Sequence, residues 1–290
     1  MVLRLPEAGT WRVLDSLLAA PPLSDLAEDD LRRRAAAGEL VDQDGAAVDL
    51  DAPVRRPTSV YLYRGLPPEY DVPFDMPILH LDDDLVVVDK PHFLATMPRG
   101  AHVAQTALVR LRRDLGSDDV APAHRLDRLT AGVLLFTRRR EVRAAYQELF
   151  AARRVHKEYR ALAPIDEALA GGVHVENRIL KTAGDLRARV VDGEPNAISD
   201  IALLGPVRDG LGEYRLRPTT GRTHQLRMHM AGLGVPIVGD PLYPEVDAEL
   251  ATAPDRGDFS SPLRLIADVL AFDDPLTGTR REFRSRIDFA

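Results

Sequence analysis

Apolar residues along the chain fall into spacings that each predict an element. Val13, Leu14, Leu17 and Leu18 recur at helical intervals behind Thr10, and Leu26 and Leu31 follow Ser24; both hydroxyl residues suit a helix cap. Glu39-Leu40-Val41 and Val48-Asp49-Leu50 flank Asp44-Gly45, a pair typical of tight hairpin turns. Pro67, Pro68, Pro73 and Pro77 then crowd residues 63–78, a density that disfavours regular structure and predicts a linker. Leu85-Val86-Val87-Val88 and Val133-Leu134-Leu135-Phe136 are short continuous apolar runs, which predict buried strands. Residues 106–115 predict a helix with Leu108 and Leu111 inward, and residues 141–153 another, with Val142, Tyr146, Leu149 and Phe150 forming a core-facing stripe. Residues 157–163 and 213–217 alternate like strands, and residues 263–272 and 281–283 predict closing strands.

This order is not a regular βαβ series, so the predicted class is α+β, with a mixed, largely antiparallel central sheet and flanking helices. Three regions follow: a small module of helices and a hairpin over 1–62, a proline-rich linker over 63–76, and a large domain over 77–290.

Composition bounds the function. Of 290 residues, 45% are apolar and 29% charged, as in ordinary globular proteins. No apolar stretch approaches the ~20 residues of a membrane span, and the first residues do not read as a signal peptide. With no cysteine, thiolate metal sites and disulfides are excluded, and a cytoplasmic location is expected. A net charge of −7 opposes generic nucleic-acid binding, but the charge is uneven. Residues 138–160 hold eight basic and three acidic residues, while Asp71, Asp75, Asp82, Asp83 and Asp84 cluster elsewhere. A basic cleft in an acidic body is therefore open to RNA. His224 and His229 are five apart, not the i, i+4 spacing of a helical metal pair. The remaining histidines, including His80, His92, His102, His156 and His174, are scattered and read as ordinary hydrogen-bonding or surface residues.

The most informative segment is His124-Arg125-Leu126-Asp127-Arg128-Leu129-Thr130-Ala131-Gly132. One carboxylate sits between two arginines, which favour its ionised form, and the apolar run that follows would hold it at the entrance of a buried strand. Charge pattern alone is equally compatible with a structural Arg–Asp pair. Two further segments matter: Lys157-Glu158-Tyr159-Arg160-Ala161, and Gly221-Arg222-Thr223-His224-Gln225-Leu226-Arg227-Met228-His229 with Gly239-Asp240-Pro241-Leu242-Tyr243 after it. On a strand Lys157 shares a face with Tyr159 and Arg160 does not. On a helix His224 and Arg227 share a face, and Arg222 beside the helix start adds positive potential for phosphate.

In this order these segments resemble the RluA-type family of RNA pseudouridine synthases, and Val88-Asp89-Lys90-Pro91 resembles the opening of that family's catalytic domain. The resemblance spans roughly residues 77–286. It implies a pseudouridine-synthase fold and an isomerase that breaks the N1 glycosidic bond of a uridine in RNA and rejoins the base through C5. It also implies Asp127 as nucleophile, Tyr159 as active-site tyrosine, Arg227 as the arginine paired with Asp127, and Arg125 as a second basic residue. Arg222, His224, His124, Lys157 and Arg128 are the expected RNA contacts. No cofactor and no metal is expected, and a monomer is the default. The N-terminal module resembles an S4-type RNA-binding module, which favours ribosomal RNA over transfer RNA as substrate. The alternative is a catalytically inactive RNA-binding protein on the same fold; a glycoside hydrolase is a third possibility, although such enzymes use two carboxyl groups. Three stretches depart from the family pattern: Gly193-Glu194-Pro195-Asn196 carries an acid where a base is usual, and Leu265-Ile266-Ala267 and Asp274-Pro275 lack histidines.

Overall fold

Helical spacing of Val13, Leu14 and Leu17 buries one face of a short helix, and that face seeds the first of two units, Met1–Pro67 and Pro68–Ala290. The computed structural model describes residues 2–4, 11–23, 25–54, 59–62, 69–100 and 102–289. The first unit contains β1 (Val2–Arg4), α1 (Val13–Leu18), α2 (Glu28–Ala36), β2 (Leu40–Val41) and β3 (Ser59–Leu62). Its strands pair antiparallel in the order β1-β3-β2. Leu14, Leu17, Leu31, Leu40 and Val60 form its core. The caps expected at Thr10 and Ser24 lie outside the described residues. The hairpin expected around Asp44-Gly45 keeps its turn, with Gly45 donating to the Asp42 carbonyl at 3.2 Å, but shrinks to one bridge between Val41 and Ala47. The Asp49 carboxylate accepts from Asp51 N at 3.0 Å, a local turn that competes with a strand ladder, and β2 pairs with β3 instead.

The second unit begins earlier than the proline count predicts. Val72 is buried in its core, and the Glu69 carboxylate accepts from the backbone N–H groups of Val103, Ala104 and Gln105 at 2.7–2.8 Å. Residues 69–76 are therefore packed structure, not linker. The unit comprises β4 (Ile78–Leu81), β5 (Leu85–Lys90), α3 (Ala107–Leu115), β6 (Ala121–Pro122), β7 (Ala131–Thr137), α4 (Arg143–Ala151), β8 (Val155–Pro164), β9 (Val173–Leu180), β10 (Arg189–Val191), β11 (Ala197–Arg208), β12 (Leu211–Pro218), α5 (Gln225–Gly232), α6 (Ala248–Thr252), β13 (Leu265–Asp273) and β14 (Arg280–Arg284). Its sheet runs β10-β9-β11-β12-β8-β13-β7-β5-β4, with β14 on β13 and β6 on β7. Among the described strand–strand ladders only β13–β7 is parallel, so the sheet is mixed and largely antiparallel, in the expected α+β class. No helix among the described residues is long and apolar enough to cross a membrane.

Strand β11 escapes the apolar pattern because two of its buried positions are Ala197 and Ser199, and Gly205-Pro206 interrupts its alternation. Strand β13 joins the two halves of the sheet. Ala267 stands opposite Tyr159 on one side and Gly132 on the other. Gly132 has φ +109°, and a Cβ there would lie 2.2 Å from the Ala267 carbonyl oxygen. Gly132→Ala combines left-handed strain with overpacking of backbone, so it should lower stability by roughly 2–4 kcal/mol in urea unfolding. A loss below about 0.5 kcal/mol would show that the strands part at no cost.

Candidate active site

The segment from Leu126 to Thr130 carries no regular structure, yet its backbone is gripped at nearly every residue. The Thr96 hydroxyl accepts from Leu126 N at 3.1 Å and donates to Leu126 O at 2.8 Å. Lys90, fully buried, donates to the carbonyls of Pro91 (2.9 Å), Leu94 (2.7 Å) and Arg128 (3.3 Å). His92 Nδ1 donates to Leu129 O at 2.9 Å, and Thr130 N donates to Asp127 O at 3.1 Å. These groups hold Asp127 on a tight turn that runs straight into β7. Among the described residues the Asp127 carboxylate has no hydrogen bond and no ion pair. Its charge nevertheless reaches four neighbours: Lys90, Tyr159, His224 and Arg227.

Asp127 lines a cleft of about 600 Å³ whose walls hold six arginines, one lysine and, among the described residues, no other carboxylate. Arg125 stands exposed at its mouth. Arg128 turns to the rim, where its Nη1 donates to Asp255 Oδ1 at 2.8 Å and to His102 Nε2 at 2.9 Å. Arg222 is exposed on the opposite rim and donates to Asn196 O at 3.2 Å.

Arg227 does reach the cleft, but its carboxylate partner is Asp240, not Asp127. The guanidinium, 2% exposed, makes a two-pronged pair with Asp240 at 2.8 and 2.6 Å. Asp240 also accepts from the N–H groups of Leu242 and Tyr243 at 2.9 and 3.2 Å. A buried guanidinium needs such a fork, and the turn after Gly239 supplies it. Burial opposes the Arg227 charge, but Asp240 and then Asp127 hold its pKa above the usual range. The expected link between Arg227 and Asp127 is thus a field across the cleft rather than a bonded pair. His224 is not on the helical face: it precedes α5 in a left-handed conformation at φ +59°. Its Nδ1 lies 3.0 Å from the Tyr243 hydroxyl, and burial lowers its pKa against the pull of Asp127.

On β8, Lys157 and Tyr159 both line the cleft, while Arg160 faces away towards Glu213, Asp268 and Asp288. Lys157 Nζ donates to Thr220 O at 2.8 Å, and burial pushes its pKa down to about 8, with Arg153 adding to the shift. Tyr159 shows the opposite of cationic activation: burial, then the Asp127 charge, pushes its phenol well above the ordinary range. His124 belongs to the wall, not the rim. Its ring stacks on Phe150 at 4.4 Å, and its Nε2 accepts from Leu135 N at 3.1 Å. Burial pushes its pKa down to about 3, so it offers phosphate no charge near neutral pH. Phe150 is correspondingly a cleft residue as well as a helix-face one. Lys90, His92, Thr96, His102 and Asp240 carry parts of this site that the motifs alone did not assign.

Residues 84–232 match the family described as RNA pseudouridylate synthase. The dual-specificity RNA pseudouridine synthase RluA of Pasteurella multocida is 33% identical over 220 residues, covering 72% of this chain and 92% of that protein. The ribosomal large subunit pseudouridine synthase D of Xanthomonas campestris is 35% identical, covering 72% of this chain and 64% of that one. The structure of human RNA pseudouridylate synthase domain containing 1 superposes with a TM-score of 0.56 at 25% identity, over 71% of this chain and 82% of that one.

Proposed function

The chain belongs to the RluA-type family of RNA pseudouridine synthases, isomerases that convert uridine in RNA to pseudouridine, and on that premise we propose that Asp127 is the catalytic nucleophile. The observation that carries this reading is the solitude of its carboxylate: it is the one acid among the described residues of an otherwise cationic cleft. Six arginines and a lysine line the same cleft. A carboxylate spared from structural pairing, on a backbone held from several sides, is ready to act on the sugar of a bound nucleotide. The same solitude disfavours a glycoside hydrolase, which uses two carboxyl groups across the bond.

The target base must leave its stack to react. A cleft of about 600 Å³ accommodates a flipped nucleotide, and Arg125, Arg128 and Arg222 stand where its neighbouring phosphates would run. Arg227, fixed by Asp240, steadies the Asp127 charge without neutralising it. Tyr159 supplies a flat wall for the uracil, with stacking worth about 1–3 kcal/mol. Its phenol begins neutral. Whether Asp127 attacks the sugar or takes its proton, the carboxylate loses its charge in that step, and one cause of the raised phenol pKa disappears. The carboxylate regains its charge when C5 of the base bonds to C1′, and the C5 proton leaves only after that bond has formed. Tyr159→Phe should reduce turnover about 10²-fold while RNA binding stays near wild type; unchanged turnover would remove the hydroxyl from the mechanism.

Ribosomal RNA is the proposed substrate, in the cytoplasm and by a monomer. Support for the ribosomal substrate comes from the separate N-terminal unit of two helices and three short strands and from relatives such as the large-subunit synthase D. The test is tritium release from RNA labelled at uridine C5, with mass analysis of the product. Release with no change of RNA mass beyond the label is expected; free uracil would point to a glycosidase instead.

A further inference from the structure

The rim of the cleft carries an acid where RNA binding alone would favour none. Residues 244–262 hold five acidic residues and a single arginine. One of the five, Asp255, sits on the short turn Ala253–Arg256 and meets Arg128, the residue after Asp127, at 2.8 Å. His102 shares the contact, 2.9 Å from the same Arg128 nitrogen and 4.0 Å from Asp255.

Asp255 is held in place rather than loosely tethered. Ala253 and Pro254, which precede it on the same turn, are buried. Phe259, a little further on, packs edge-on against Phe93 at 5.3 Å and Phe74 at 6.3 Å. On the other side, Glu69 fixes the backbone beside His102. The carboxylate is nonetheless 52% exposed and Arg128 22% exposed, so the pair is solvent-screened and easily exchanged. A phosphate oxygen binds a guanidinium in the same way as a carboxylate oxygen.

We propose that Asp255 is a specificity-determining residue that occupies Arg128 when RNA is absent and gives way only to a well-placed RNA phosphate. This rests on the reading of Arg128 as a phosphate contact. An RNA that lays its backbone along the rim exchanges one anion for another. An RNA that touches the cleft casually meets a neutralised Arg128 and a nearby negative charge. The acid thereby weakens binding of all RNA and shortens unproductive residence on the wrong RNA.

The test uses the full chain and its Asp255→Asn, Asp255→Glu, Asp258→Asn and Arg128→Gln variants. Affinity is measured for poly(A), which offers no uridine, and KM and kcat for total unmodified RNA. Asp255→Asn should bind poly(A) roughly two- to fivefold more tightly, with a smaller fall in KM, while Asp255→Glu restores wild-type values. A merely structural role would weaken binding or lower kcat. The gain should shrink in the Arg128→Gln background, and Asp258→Asn should not reproduce it. Equal gains from Asp258→Asn would reduce the effect to net charge and overturn the proposal, as would unchanged or weaker binding by Asp255→Asn. If Arg128→Gln itself leaves RNA affinity untouched, the phosphate reading of the rim fails first, which separates the two ideas.

Discussion

Asp127→Asn is expected to lose tritium release by on the order of 10⁴-fold or more, because it removes the one group proposed to act on the sugar. The fold should survive. The Asp127 side chain makes no hydrogen bond among the described residues, and the grip of Thr96, Lys90 and His92 falls on backbone atoms that asparagine keeps. A melting temperature within a few degrees of wild type should therefore accompany the loss. The change should also register at a distance. With the carboxylate gone, one of the causes raising the Tyr159 phenol vanishes, so its titration should move down. Release at near wild-type rate by purified Asp127→Asn would sink the assignment.

Lys90→Met should divide activity from stability. Two large terms oppose each other in the fold. Three buried carbonyls lose their donor, at about 1–3 kcal/mol each. Against that, a buried ammonium disappears whose burial pushes its pKa from 10.5 down to about 7, worth about 5 kcal/mol. The sum is close to zero near neutral pH, so urea unfolding should move by less than about 2 kcal/mol. Turnover has no such compensation. The carbonyl of Arg128 loses its anchor beside Asp127, the proposed nucleophile, and a misplacement of about 1 Å costs on the order of 10² in rate. There is a pH signature too. Because the folded-state pKa lies below the ordinary one, the unfolded chain binds more protons between about pH 7 and 10.5. This lysine therefore makes stability rise with pH across that window, and Lys90→Met should abolish that component. Wild-type turnover in the variant would show that Asp127 needs no such anchor.

The parts of this site legible in the sequence are those whose chemistry is local. Asp127 between two arginines, Tyr159 two residues beyond Lys157, and the alternation that turns Arg160 away are all neighbour relations along one strand or turn. The parts that escaped are set by ladders between distant segments. Lys90 stands opposite Gly132 because β5 pairs with β7, and only that register brings a lysine at the end of an apolar run beneath the Asp127 turn. His92 and His102 look scattered for the same reason. The partner of Arg227 was misjudged because a buried guanidinium takes the nearest carboxylate that can be held rigidly, and the turn after Gly239 folds Asp240 onto it. The fold itself was readable where strands are continuously apolar, as in β5 and β7. It was unreadable in β11, where Ser199 faces inward and accepts from Gln225 at 2.9 Å.

Strand β13 separates Tyr159 from Gly132, and its residues 265–273 come long after both in sequence. As the chain emerges from a ribosome, Asp127 and Tyr159 are made first and wait for the strand that lies between β7 and β8. Until that strand threads into place, β7 and β8 have exposed edges and the cleft has no floor. Such late, long-range pairing is slow and leaves unpaired edges open to aggregation. An RNA-modifying activity assembled in this way is silent until residues 265–273 have been made and paired.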